Sequence, residues 1–206
     1  MNQEVMYSFF DYSCIMAEPW AIAGYRCICI DLKHNNEIVH YSSGGSIQKI
    51  KADMNEYLPA RDLIPIFAAF FPPCTHTATS GSRWFKDKGL GKLIESLQLF
   101  YSSVKLAEWL NCPYIIEHPI STVSGYWRKP DYKFHPFEYG DPYTKLTCLW
   151  TSTNFIMPDK TPVEPFEGSK MQKRALLRNI TKDRQEARER TPPGFAQAIF
   201  NSNKPK

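Results

Sequence analysis

Apolar residues along the N-terminal two-thirds of the chain fall in short blocks, each closed by turn-forming or acidic residues. The first block, Val5-Met6-Tyr7-Ser8-Phe9-Phe10, is too short for a helix and runs into Asp11-Tyr12-Ser13, the pattern of a buried strand entering a turn. Residues 15–24 predict a helix started at Ser13 and stopped at Gly24, with Pro19 tolerated in its first turns. Residues 25–30 predict a second strand that ends at Asp31. Such a strand–helix–strand unit closed by an acid opens a Rossmann-like fold, where the carboxylate binds ribose hydroxyls. Asp31 is otherwise a turn or helix-cap residue.

Residues 34–49 are polar and contain glycines, which predicts a loop, and residues 51–54 predict a short strand with an acidic end at Asp53. A further strand over 63–71 stops at Pro72-Pro73, since proline donates nothing to a ladder. Apolar residues at Leu90, Leu93, Ile94, Leu97, Phe100, Tyr101, Val104, Ala107 and Leu110 keep helical spacing, and Asn111 with Pro113 closes that helix. Residues 113–116 predict another strand, ending at Glu117-His118-Pro119. Strands alternating with helices give an α/β fold: a mostly parallel sheet with helices on both faces and ligands at the carboxyl ends of the strands. Residues 124–165 are rich in proline and aromatics, 170–190 are strongly basic and expected to be helical in part, and 195–200 predict a last short helix. The expected organisation is one domain, with a Rossmann-like core over 1–123 and a C-terminal part, 124–206, packed on it.

Composition narrows the picture. With 206 residues, 43% hydrophobic and 14% aromatic, the chain is long enough for one sizeable core. A net charge of +4 is compatible with a polyanionic partner without requiring one. No apolar run approaches the roughly 20 residues needed to cross a bilayer, and the N-terminus lacks a signal peptide's features, so no membrane partner and a cytoplasmic location are expected. The six cysteines include no CxxC pair, which argues for thiols packed in a core rather than a metal site. Cys27 and Cys29 alternate on a strand and share a face.

Three strand ends carry the chemistry: Asp11-Tyr12-Ser13-Cys14, Pro72-Pro73-Cys74-Thr75 and Glu117-His118-Pro119. Strand ends of an open α/β sheet converge on one crevice, which would bring a thiol and a carboxylate together. A thiolate that adds to C6 of cytosine makes C5 nucleophilic, and a carboxylic acid at N3 stabilises the adduct. Cys74 is the candidate nucleophile and Glu117 the N3 partner.

Longer runs sharpen this. Pro72-Pro73-Cys74-Thr75-His76, Ser80-Gly81-Ser82-Arg83-Trp84-Phe85, Trp127-Arg128-Lys129-Pro130-Asp131, Phe137-Glu138-Tyr139-Gly140, Tyr143-Thr144-Lys145-Leu146-Thr147-Cys148-Leu149-Trp150 and Thr191-Pro192-Pro193-Gly194-Phe195-Ala196 resemble small phage-encoded proteins of the DNA cytosine-C5 methyltransferase type. The resemblance implies a methyltransferase fold without a separate target-recognition domain, S-adenosylmethionine as cofactor, and DNA or a cytosine nucleotide as substrate, in a host cytoplasm. By likeness, Phe10, Asp11, Tyr12 and Ser13 flank the methionine part of the cofactor, Asp31 the ribose and Asp53-Met54 the adenine, with Pro72 beside them. Cys74, Glu117 and Arg83 would be catalytic, and Pro73, Thr75, His118 and Pro119 would border the base. The family's cofactor loop is glycine-rich, whereas Asp11-Tyr12-Ser13-Cys14 has no glycine. Three readings therefore stay open: the methyltransferase, with or without a partner protein that supplies target recognition; a degenerate methyltransferase fold that binds nucleic acid or a partner; and another pyrimidine modification with a different donor.

Overall fold

The computed structural model describes residues 3–166 and 190–205. The basic stretch expected over 170–190 therefore lies outside the described residues, apart from Arg190. Among the described residues eight strands form one sheet: β1 (Gln3–Phe9), β2 (Arg26–Ile30), β3 (Glu37–His40), β4 (Ser46–Ile50), β5 (Leu63–Phe70), β6 (Tyr114–Pro119), β7 (Tyr132–Phe134) and β8 (Thr147–Thr151). Their order is β3-β4-β2-β1-β5-β6-β8-β7. The central pairs β4-β2, β2-β1, β1-β5 and β5-β6 are parallel, and β3, β8 and β7 attach by antiparallel pairing. The described helices are α1 (Glu18–Ile22), α2 (Phe85–Leu110), α3 (Val123–Tyr126) and α4 (Pro193–Asn203). The five parallel strands follow a Rossmann-like order, and the chain reverses its direction of travel across the sheet between β1 and β5.

The central strands read as near-continuous apolar runs because both of their faces are covered. On one face Met6, Cys27, Cys29, Phe67, Ala69, Ile115 and Leu149 pack against α1 and α4. On the other, Val5, Tyr7, Phe9, Ile28, Ile30, Ala68, Phe70, Ile116 and Trp150 pack against α2. Cys27 and Cys29 do share a face, and every cysteine except Cys74 is buried. Pro65 falls where the β1-β5 register shifts at Val5/Met6, so the missing N–H is absorbed by an irregularity in the ladder.

Helix α2 buries its apolar stripe only in its C-terminal half, at Phe100, Val104, Ala107 and Leu110, whereas Leu90, Ile94 and Tyr101 stay exposed. Gly89, at φ +78, breaks the first turn, so regular helix starts at Leu90, and Asn111 in the left-handed region ends it. Helix α1 is shorter than the 15–24 expected. Cys14 takes φ +57, which a helix begun at Ser13 cannot accommodate, and helical structure starts only at Glu18; Gly24, at φ +99, ends it as expected. Residues 34–49 are not a loop: they contain the β3-β4 hairpin. Its polarity misled because β3 is an exposed edge strand, with every residue in contact with solvent and Glu37 paired to Lys49 at 2.8 Å. Residues 51–54 are not a strand. The ladder ends at Ile50, and Asp53 begins a turn whose Asn55 and Tyr57 N–H groups bond back to it. Within the proline-rich 124–165 region, Tyr132–Phe134 and Thr147–Thr151 extend the sheet beyond β6.

Candidate functional site

Ile50, Ile30, Phe9, Phe70 and Ile116 stand in register across five neighbouring strands. The residues that immediately follow them therefore emerge side by side: Asp31 after β2, Phe10 after β1, Phe71 after β5 and Glu117 after Ile116 on β6. At about 4.8 Å between strands, Asp31 and Glu117 lie some three strand spacings apart, about 15 Å, on either side of the β1/β5 switch point. That crevice is where an open α/β sheet binds ligands.

The loop after β1 closes on itself. The Asp11 carboxylate is buried and accepts from Ser8 Oγ at 2.7 Å, Ser13 Oγ at 2.8 Å and the Cys14 N–H at 2.8 Å. Burial raises its pKa, against the pull of those three hydrogen bonds. Phe10 and Cys14 both adopt φ +57, a left-handed conformation that side chains rarely take. A glycine-free segment thus follows the kind of path that glycine usually supplies, held by Phe10 N–H to Ile30 O at 2.8 Å and by Asp11. His34 fastens the loop from outside: its Nε2 donates to the Asp11 carbonyl at 3.1 Å and lies 3.8 Å from Cys14 Sγ. Burial lowers the His34 pKa, but the Cys14 thiol and the Asp31 carboxylate outweigh it and the net shift is upward. The Cys14 thiol is shifted down, chiefly by its hydrogen bond with Cys29.

Asp31, half-buried at the end of β2, accepts the Lys33 N–H through Oδ1 at 2.8 Å. Tyr12 is exposed and lies against His34. Met54 is buried beside Phe9 and Tyr57 in the α2-side core, so the 53–57 turn stands at the β4 end of the row.

The loop after β5 is tied to its neighbour instead. Pro72 is buried, Pro73 and Thr75 are exposed, and Cys74 is half-exposed. The Cys74 carbonyl accepts both the Thr77 and Ala78 N–H groups, so the thiol sits at the start of a tight turn. Ser96 of α2 donates to the Pro73 carbonyl at 3.2 Å. Beyond the turn, Thr79 N–H bonds Ile120 O, Thr122 N–H bonds Thr77 O, and Ala78 bridges Ser121. This seam holds the thiol loop alongside the segment that follows Glu117.

His118 belongs to the seam rather than to the open crevice. It is 1% exposed and packs edge-on against Phe100. Its Nδ1 donates to the Pro119 carbonyl at 3.2 Å, leaving Nε2 to accept from the Thr77 hydroxyl at 3.3 Å. Burial pushes its pKa down to about 4, so it is neutral near pH 7. Glu117 is half-buried and pairs with Lys145 Nζ at 3.7 Å. Arg83 is exposed and lies over the Trp84 ring, 5.2 Å from its centroid; the cation beside Glu117 is Lys145.

Sequence reasoning gave no role to Thr77, Lys145 or His34. Lys145 lay inside one of the telling runs, but only the antiparallel β6-β8 pairing places it against Glu117. His34 had no local signal in its polar surroundings. Among the described residues no cluster of three or more His, Cys, Asp or Glu is placed to hold a metal, and no helix is long and apolar enough to cross a membrane.

No protein-family model and no curated protein matches the chain. Among solved structures it is similar to an E. coli crystal structure assigned as a DNA modification methyltransferase encoded within a prophage. The TM-score is 0.49 at 15% identity, with 79% of this chain and 53% of that chain covered. The chain thus spans about half the length of that neighbour. A likeness at this level says nothing of activity, and the fold assignment rests on the strand order and crossovers described above.

Proposed function

We propose that the chain transfers a methyl group from S-adenosylmethionine to C5 of cytosine in DNA or a deoxynucleotide. The observation that carries this reading is the placement of Cys74 and Glu117 at the carboxyl ends of adjacent strands beside the switch-point crevice, with Asp31 on its other side. The motif runs around Cys74 and Lys145, and their resemblance to small cytosine-C5 methyltransferase-type proteins, support it.

The residues fit the cofactor in outline. Asp31 would hold the ribose hydroxyls, the loop bent at Phe10 and Cys14 would take the methionine part, and the turn at Asp53 and Met54 would border the adenine. Asp11, whose carboxylate is engaged within its own loop, shapes that loop rather than contacting a ligand. When bound, the cofactor supplies an electrophilic methyl group. Cys74 Sγ adds to C6 of the ring, and the electron pair displaced toward C5 makes that carbon the nucleophile. Glu117, in its acid form, donates to N3 and stabilises the adduct, while Lys145 meets its other oxygen and fixes the side chain. After methylation, loss of the C5 proton re-forms the C5–C6 double bond and expels the Cys74 thiolate.

The glycine-free cofactor loop favours a second reading, a methyltransferase fold that binds nucleic acid without cofactor. Calorimetric titration with S-adenosylmethionine separates the two. Micromolar affinity, about −8 kcal/mol, lost in Asp31→Ala, together with a gain of one methyl per cytosine by mass spectrometry, is the expected result. Absence of binding by the folded wild-type chain would leave the binding module.

A further inference from the structure

Among the described residues α2 packs on the sheet through its C-terminal half, from Ser96 to Leu110, and α3 has four residues. What surrounds the thiol loop is of a different kind. Two segments leave the Cys74–Glu117 region together, joined by Thr79 N–H to Ile120 O at 2.9 Å and by Thr122 N–H to Thr77 O at 3.1 Å. Each ends, a few residues beyond the seam, in exposed aromatic rings. Trp84 is 51% exposed and Tyr126 is 71% exposed. Each segment also carries a guanidinium over a ring: Arg83 lies 5.2 Å from the Trp84 centroid and Arg128 lies 4.6 Å from that of Trp127.

The rings differ in availability. Trp127 is held between Arg128 and the stacked ring of Trp150, with Phe100 at its edge, so it acts as the anchor of its segment. Arg128 is itself fixed by Asp131 at 2.6 Å. Trp84 and Tyr126 have no aromatic ring partner among the described residues; Trp84 carries Arg83 over one face, and both rings remain exposed to solvent. Lys86 and Lys129 are exposed on the same two segments, and Lys88 reaches back to the Thr75 carbonyl. Exposed aromatic faces interleaved with cations match a polyanion whose bases are unstacked, because each base then offers a π-face while its phosphate meets a cation. A duplex buries those faces within its own stack and would leave both rings idle.

We propose that the surface formed by residues 79–88 and 120–129 binds single-stranded nucleic acid and delivers an unstacked pyrimidine to Cys74. The delivery step rests on the reading of Cys74 and Glu117 as a pyrimidine site; the binding surface stands on its own geometry. Trp84 and Tyr126 are the stacking platforms, and Lys86 and Lys129 the phosphate contacts.

The test is fluorescence anisotropy with a labelled cytosine-containing single-stranded oligodeoxynucleotide and the duplex of the same sequence. The full chain carries Cys74→Ser so that no covalent adduct complicates the titration. The single strand is expected to bind at least about tenfold more tightly than the duplex. Trp84→Ala and Tyr126→Ala should each weaken binding by about tenfold, the order of one lost base stack. Trp84→Phe should retain it, and a Lys86→Glu/Lys129→Glu double variant should flatten the salt dependence. Because both rings are exposed, melting temperatures near that of the parent confirm that the variants are folded. Equal or tighter duplex binding, or parent-like binding by both alanine variants, overturns the surface. Methyl transfer by the Cys74 parent is read separately. If transfer occurs but the alanine variants bind normally, this surface is wrong while the proposed activity stands. If the surface binds single strands and no methyl is transferred, the surface stands and the activity falls.

Discussion

The loops after β1 and β5 flank the same crevice and are built on opposite plans. The β1 loop satisfies itself: a buried carboxylate takes three local hydrogen bonds, two residues accept left-handed backbone, and His34 seals the turn. The β5 loop satisfies its backbone through the next strand's exit, across the Thr77–Thr79 and Ile120–Thr122 seam, and leaves Cys74 half-exposed. The first plan stores strain and needs internal charge to hold it, as ligand-shaping loops often do. The second plan fixes the backbone and leaves the Cys74 side chain, to which the proposed chemistry falls, accessible. Of the two, the β1 loop should therefore govern stability and the β5 loop turnover.

The largest effect belongs to the β5 loop. Cys74→Ser should reduce methyl transfer by more than about a thousandfold, since a hydroxyl at that position is a far weaker nucleophile than a thiolate. Its unfolding midpoint in urea should match the wild type. Retained turnover would remove Cys74 from the mechanism.

The next effect belongs to the seam and depends on pH. An exposed imidazole titrates near 6.5, whereas burial holds His118 at about 4. Between those values the unfolded chain binds a proton that the native protein refuses. This contribution to stability is therefore intact above about pH 6.5 and falls away as the pH drops toward 4, by up to about 3 kcal/mol. Urea unfolding at pH 7 and pH 4.5 should show the loss in wild type and a shallower dependence in His118→Gln, whose side-chain oxygen can still accept from Thr77. Equal slopes would mean that the histidine is solvated.

In the β1 loop, Asp11→Ala should destabilise the fold by about 2–3 kcal/mol, because it strands the buried Ser8 hydroxyl and the Cys14 N–H. Asp11→Asn should recover part of that loss by keeping one acceptor. An alanine variant as stable as wild type would show that the loop does not depend on the carboxylate. The smallest stability change is expected at Lys145. Its pair with Glu117 is partly solvated at 3.7 Å, so Lys145→Ala should cost less than about 0.5 kcal/mol while lowering turnover by about tenfold. A drop in stability without a drop in turnover would invert its assignment.

Periodicity and punctuation made much of the fold legible. The strand before Asp11, the run ending at Pro72-Pro73 and the stripe of α2 are local patterns, and burial on both faces only strengthens them. The β3-β4 hairpin was missed because an edge strand needs no apolar face to be a strand; its partner supplies the hydrogen bonds. The short α1 was misjudged because Cys14 is drawn into a left-handed conformation by the Asp11 carboxylate, an interaction invisible as a propensity.

The same division runs through the site. By itself the sequence determined the strand ends, the cysteine after paired prolines, the acid after β2 and the resemblance that gives them meaning, because these are fixed by residue type and short spacing. Only the tertiary structure decided which ends stand side by side, that Asp11 is spent on its own loop, that His118 is buried behind the thiol turn, and that Lys145 reaches Glu117. Each of those depends on strand register and antiparallel return, where partners 28 or more positions apart, such as Glu117 and Lys145 or Thr77 and His118, meet through ladder geometry. No local pattern encodes which strand lies beside which; that choice is made by covering both faces of the sheet at once.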